Sequence, residues 1–277
     1  MAYGDLVGRV DFDMTRASPF SYTCHACKRC CRNKAIRVNP YEVLRLARRL
    51  GLSTTEFIES KTEAGGTVLR SAEDGNCVFL NDRGCSVHPD RPLACRIYPL
   101  ARWVSAEGEE SFGGLAPHPQ TEGVYGNAGT VQDYLDQQGA EPYFRNSDRY
   151  GVLYDKMLAI LEKAAPGELD RRQERREEID ELPSGSIGSA FMDIDAMLGA
   201  CMQDGPDEIV ERHIRAVENW LDSIDGEILA KRLKAPDFKR AIAAGGRFFS
   251  IAKAHEIWSA RWSLLIVRWL SSRRPAA

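Results

Sequence analysis

The chain has 277 residues, 43% hydrophobic and 28% charged, with a net charge of −3. That balance supplies no basic excess to neutralise phosphates, so it excludes an electrostatic case for nucleic-acid binding. The most apolar segment, Trp262 to Val267, is bounded by Arg261 and Arg268; it falls far short of the roughly 18 apolar residues of a bilayer span, and no membrane association is expected.

The N-terminal residues show no basic stretch followed by an apolar one, so a signal peptide is not expected and the chain reads as cytoplasmic. Seven of the eight cysteines fall within the first hundred residues. Disulfides rarely persist in a reducing compartment, so this clustering points to metal or redox chemistry.

The densest cluster comes first, as Cys24-His25-Ala26-Cys27-Lys28-Arg29-Cys30-Cys31. Ala35 to Val38 reads as a short strand. Pro40 to Leu50 reads as a helix, with Val43, Leu44, Ala47 and Leu50 at helical spacing and Gly51 closing it. Ser53 to Glu56 is a capping box for a second short helix, and the two helices suggest an αα-hairpin packed against the cysteine region. Cys77 to Leu80 and Gly84 to Val87 flank a turn of Asn81, Asp82, Arg83 and Gly84, which predicts a β-hairpin bringing Cys77 and Cys85 together. Cys95 follows on a helical turn.

Gly113 to Gly129 reads as a loop, Thr130 opens a helix in capping-box style, and Tyr150 to Lys163 is another helix. Residues 168 to 181 are almost entirely charged with mixed signs, which suits a solvated helix held by i,i+4 pairs. Three or four amphipathic helices are expected from Ile187 onward, the last over about Phe248 to Leu270, with Cys201 a buried structural thiol. The fold class is α+β and mainly helical: a small cysteine-rich metal-binding domain with a short β-hairpin, then a helical region. The expected divisions are 1–115 for the cysteine-cluster domain, 116–165 for the Gly-rich loop and helices packed on it, 166–185 for a charged linker or exposed helix, and 186–277 for the C-terminal helices.

The C-x2-C-x2-C-C spacing carries the chemistry. A C-x2-C turn lets two thiolates converge on one ion, and the repeated form delivers three sulfurs. Cubane iron–sulfur clusters use that arrangement with a remote fourth cysteine, and zinc sites use C-x2-C with a second pair from elsewhere. The candidate ligands are Cys24, Cys27, Cys30, Cys31, Cys77, Cys85 and Cys95, with His88 a further candidate at C-x2-H spacing from Cys85. Adjacent residues seldom aim both side chains at one tetrahedral centre, so Cys30 and Cys31 suggest a second site, a bridge or a redox-active thiol. Lys28, Arg29 and Arg32 would offset thiolate charge.

These residues, together with Arg91-Pro92-x2-Cys95-Arg96-x-Tyr98-Pro99, resemble the YkgJ-type cysteine-cluster family, a zinc- or iron-chelating domain related to flagellin lysine N-methylases. The resemblance covers about residues 20 to 100. It implies metal ligation by the same seven cysteines, and it leaves His118 in a position where some relatives have a further cysteine. Arg91, Arg96 and Tyr98 have two readings: the arginines offset cluster charge or bind an anionic ligand while Tyr98 hydrogen-bonds near the metal, all three around the cofactor, or Pro92 and Pro99 fix a helix entry and the arginines form structural ion pairs.

No radical-SAM C-x3-C-x2-C, dinucleotide G-x-G-x-x-G, phosphate-binding G-x4-G-K-[ST] or zincin H-E-x-x-H motif occurs. The leading expectation is an iron–sulfur protein, with zinc as the other metal, in redox chemistry or modification of a protein partner. The alternatives are a non-catalytic zinc-binding interaction module and a metallochaperone.

Overall fold

A computed structural model describes residues 10–105, 107–164, 191–200 and 203–223. The charged run 168–181, Cys201 and the helix expected over Phe248 to Leu270 lie outside the described residues. The fold is α+β, with short antiparallel strand pairs and a larger helical share. No described helix is long and apolar enough to cross a membrane.

The chain clusters into two units. The first takes the described residues up to Ile36 and those from Ser71 to Arg145; the second takes Arg37–Arg70 and the described residues from Asn146 onward. Residues 37–70 lie between the two cysteine segments in sequence yet belong to the second unit.

The first unit holds three of the four strand pairs. Strand β1 (Pro19–Thr23) pairs antiparallel with β8 (Val124–Thr130). Strands β4 (Leu80–Asn81) and β5 (Gly84–Cys85) form the expected hairpin, in which the Asn81 side chain accepts from the Arg83 N–H at 2.9 Å. Strands β6 (Leu100–Val104) and β7 (Glu110–Gly114) form a hairpin that was not expected. The Gly-rich segment expected as a loop therefore holds the end of β7 and all of β8 but its last residue. Glycine weakens local strand preference, and β8 pairs with a strand about a hundred residues upstream, beyond any local pattern. Helix α3 (Leu93–Arg96) is the turn that carries Cys95. Helix α4 (Val131–Gln138) starts at Thr130, whose hydroxyl accepts from the Asp133 N–H while the Asp133 carboxylate accepts from the Thr130 N–H.

The core of this unit joins Phe112, Leu100, Ile97, Leu135 and Phe144. Buried Arg102 lies over the Phe144 ring, 4.4 Å from its centroid, and shares the Glu110 carboxylate with Arg16. Burial pushes the Glu110 carboxyl up, but the hydrogen bonds and charges of Arg16 and Arg102 outweigh it and hold the group below its ordinary value.

The second unit is mainly helical. Helix α1 (Pro40–Leu50) follows an Asn39 capping box, with Pro40 in the first turn and Gly51 beyond the end. Its buried face carries Val43, Leu44, Leu46 and Ala47. Helix α2 (Thr54–Lys61) begins at the Ser53 box. The short strands β2 (Thr62–Glu63) and β3 (Val68–Leu69) pair next. The strand expected over Ala35 to Val38 is only a single bridge, Arg37 to Val68. Helix α5 (Glu141–Ala164) begins in the first unit and runs into the second. Helix α6 (Ile194–Leu198) is tied to the start of α2: the Thr54 and Thr55 hydroxyls donate to Asp193 at 2.7 and 2.8 Å. Helix α7 (Pro206–Asp222) buries Ile209, Val210, Ile214, Val217 and Leu221, and its buried His213 meets the Tyr150 hydroxyl at 2.9 Å.

Candidate metal centre

All seven candidate cysteines lie in the first unit as free thiols. Cys24 is exposed, and Cys27, Cys30, Cys31, Cys77, Cys85 and Cys95 are half-buried. The segment around Cys24–Cys31 turns sharply, with Ala26, Lys28 and Asn33 in the left-handed region at φ 54°, 66° and 52°. It is stitched to the second cysteine segment by backbone bonds: Cys77 N–H to Cys31 C=O at 3.0 Å and Asn33 N–H to Gly75 C=O at 2.8 Å. Lys28 Nζ adds a bond to the Asp82 carbonyl at 2.6 Å, reaching the tip of the β4–β5 hairpin.

Three thiols share one local device. The N–H of Ala26 donates to Cys24 Sγ at 3.4 Å. The Phe79 N–H does the same for Cys77, and the Val87 N–H for Cys85. Each donor sits two residues after its cysteine. A backbone N–H aimed at sulfur stabilises the thiolate, the form that binds metal. Burial opposes this and leaves the Cys77 and Cys85 thiols above their ordinary value.

The adjacent pair is polarised. Cys30 Sγ and Cys31 Sγ are 4.0 Å apart. Either thiol can donate to the other, and the contact with Cys31 brings Cys30 down to about 7, with further help from the Lys34 charge. The same bond, then burial and the nearby Cys30, Cys95 and Cys85 thiols, push Cys31 up. Cys31 thus senses thiols on both segments. Lys34, half-buried, is the cation that acts on Cys30; it was not among Lys28, Arg29 and Arg32, the charges expected to do so.

Among the described residues, no three Cys, His, Asp or Glu side chains stand close enough to hold an ion as they are. The donor chemistry fits zinc or iron, since thiolates suit both.

The histidines are turned to other uses. His88 Nδ1 faces Arg91 Nη1 at 3.3 Å, and His118 Nδ1 accepts from the Gln120 N–H at 3.1 Å. Burial, then the Arg91 and Arg96 charges, hold His88 below its ordinary pKa. Arg91 reaches the His88 carbonyl at 2.6 Å and Gln138 Oε1 at 2.5 Å, and it also lies in the field of Cys95 and Cys85. Arg96 is nearly fully buried and donates to the carbonyls of Gln138 and Pro89 and to the Tyr143 hydroxyl, at 2.5, 2.7 and 2.9 Å. Gln138 ends α4, so Arg96 caps that helix's carbonyl end. Tyr98 precedes Pro99 through a cis peptide bond, and its phenol lies in the field of Cys30 and Cys27.

Residues 23–118 match the family model described as "CxxCxxCC: Putative zinc- or iron-chelating domain". This segment is similar to that domain family. All seven clustered cysteines, His88, Arg91, Arg96 and Tyr98 lie within the CxxCxxCC match, and β8 with the helices after it lies beyond. No curated protein and no solved structure matched the chain.

The sequence reading missed Tyr22, Tyr125 and Tyr134, which the fold gathers beside Tyr98. No local signal could find them, because they sit on β1, β8 and α4.

Proposed function

We propose that the CxxCxxCC domain holds an iron–sulfur cluster through Cys24, Cys27, Cys30, Cys31, Cys77, Cys85 and Cys95, and serves redox chemistry or the modification of a protein partner in the cytoplasm. The observation that carries this reading is the repeated backbone N–H to sulfur contact at Cys24, Cys77 and Cys85, on two stitched segments. Such contacts favour the charged, metal-binding form of the sulfurs. Seven thiols also exceed what one four-coordinate zinc requires. When bound, the cluster supplies one-electron chemistry. The chain's own residues align the sulfurs, and Lys34 offsets their charge.

Anaerobic purification tests this. Brown protein with broad visible absorption, iron and acid-labile sulfide is the expected result. Colourless protein with stoichiometric zinc would refute the iron–sulfur assignment and leave a zinc-binding interaction module. Metal lost on simple gel filtration would point to a metallochaperone.

A further inference from the structure

Cys30 and Cys31 are neighbours in sequence, and their sulfurs are in contact. The two Sγ atoms stand 4.0 Å apart, and both residues are half-buried. They sit in a tight turn, Arg29–Cys31, entered through Lys28 at φ 66°. The Cys31 N–H donates to the Lys28 carbonyl at 3.2 Å, and the Cys31 carbonyl accepts from the Cys77 N–H at 3.0 Å. A bridge between Arg32 and Asn76 and the bond from Asn33 to Gly75 continue the same seam. The peptide that joins the two thiols therefore leads straight into the seam between the cysteine segments.

A disulfide bond is about 2.05 Å long, so rotation of the two side chains must close the remaining gap. Consecutive Cα atoms lie about 3.8 Å apart, short of the roughly 4.4–6.8 Å spanned by ordinary disulfides. A bond between these two sulfurs is therefore strained, and strained disulfides are the ones that cellular thiols reduce readily. The strain falls on the Cys30–Cys31 peptide, whose N–H holds Lys28 and which adjoins the carbonyl that holds Cys77. Twisting that peptide loosens the seam. Each sulfur taken into the bond also ceases to be a thiolate, the form that binds metal.

We infer that Cys30 and Cys31 form a reversible disulfide with each other under oxidation, and that this bond closes the centre to metal loading. The gating half rests on the metal-binding reading above; the bond itself does not. With hydrogen peroxide as oxidant, one thiol attacks a peroxide oxygen, giving a sulfenic acid and water. The neighbouring thiol then attacks the sulfenic sulfur; the S–S bond forms and a second water leaves. Two electrons pass from the sulfurs to the peroxide, and a dithiol such as dithiothreitol returns them.

The test treats the metal-free full chain with equimolar hydrogen peroxide, as wild type, Cys30→Ser and Cys31→Ser. Mass spectrometry after alkylation should find the wild-type peptide holding Cys30 and Cys31 lighter by two hydrogen atoms, with neither sulfur alkylated. Exchange of the Cys77 amide, followed by NMR, should speed up roughly fivefold or more, as a lost hydrogen bond requires. The Ser86 amide, bonded to the Phe79 carbonyl at 2.9 Å, should keep its untreated rate. Uptake of zinc or iron(II) should fall in the treated wild type and return with dithiothreitol. The serine variants, which cannot make this bond, should show neither change in a form that dithiothreitol reverses. A disulfide from either sulfur to Cys24, Cys77, Cys85 or Cys95, or irreversible oxidation in place of a bond, would overturn the inference. So would full metal uptake by the oxidised chain. An untreated wild type that takes up no metal would instead overturn the metal-binding reading and the gating with it, while the mapped bond still decides whether the pair closes.

Discussion

Gly75 is the residue on which the two cysteine segments meet, and replacing it with alanine probes that junction. Gly75 lies at φ +78°, and its carbonyl accepts from Asn33. An ideal Cβ there would land on Asn33 Oδ1, with Asn33 Cγ at 3.0 Å. An L-residue in the left-handed region costs about 1–2 kcal/mol. Stiffening of the unfolded chain returns about 0.4–1 kcal/mol. Forcing Asn33 off its rotamer adds about 0.5–1.5 kcal/mol. The net loss for Gly75→Ala should be about 2 kcal/mol, against about 1 kcal/mol for Gly139→Ala, which shares the left-handed φ. A Cβ at Gly139 would meet only Arg96 Nη1, at 3.8 Å. The assay is urea unfolding of the metal-free chain, followed by thiol accessibility to a chromogenic disulfide reagent, because all the described thiols lie in the first unit. Asn33→Gly in the Gly75→Ala background should recover the rotamer part of the loss, because Asn33 itself lies at φ 52°, where glycine carries no steric penalty. A Gly75→Ala penalty no larger than that of Gly139→Ala would refute the tight approach of the two segments.

Cys30→Ser and Cys31→Ser should differ in effect if the adjacent thiols serve distinct roles, and metal and sulfide analysis of both beside wild type reads this directly; identical losses would place both on one centre. Saturating metal at a hundred times its dissociation constant should stabilise the chain by about 2.7 kcal/mol, lost on adding a chelator, and thermal melts with and without chelator measure it. Glu110 has a depressed pKa, so its contribution is complete at neutral pH and disappears as pH falls below the ordinary glutamate value near about 4.3. Glu110→Gln should flatten that acid limb and cost about 2–4 kcal/mol, because buried Arg102 loses its charge-assisted bond to Glu110; acid titrations of unfolding midpoints check both. Arg96→Lys should lower the melting temperature by removing about 2 kcal/mol, since one ammonium cannot replace three converging guanidinium bonds, while the metal spectrum stays as in wild type.

Much of the helical framework was legible because its signals are local. Asn39, Ser53 and Thr130 begin helices through side chains that reach only three residues ahead, and the Asn81 to Gly84 turn announces its own hairpin. The chemistry of the cysteines was legible from spacing. What the spacing could not carry was partnership across the chain. Strand β8 has a Gly-rich sequence that reads as loop until β1 pairs with it. The bonds of Arg96 to Gln138 and Tyr143 could not be read from its own neighbours, because both partners lie more than forty residues further on. The tyrosine cluster joins β1, β8, α4 and the turn after α3, so no window along the chain contains it.

The excursion from residue 37 to residue 70 has a consequence for biogenesis. The first cysteine segment leaves the ribosome roughly 50 residues ahead of the second, a delay of a few seconds at about 5–20 residues per second. During that interval the four thiols of the first segment wait for Cys77, Cys85 and Cys95, none of which has yet been made. The excursion closes on itself, however: Arg37 bridges Val68, and the Val38 N–H bonds to the Thr67 carbonyl. Its helices α1 and α2 carry their own caps, so they can form before the second cysteine segment emerges. Once they have formed, the chain leaves the excursion beside where it entered, and the loop left to close is short. Nascent-chain cysteine labelling should therefore show protection of Cys30 and Cys31 soon after Cys77 clears the exit tunnel, with no need to wait for the C-terminal half of the chain.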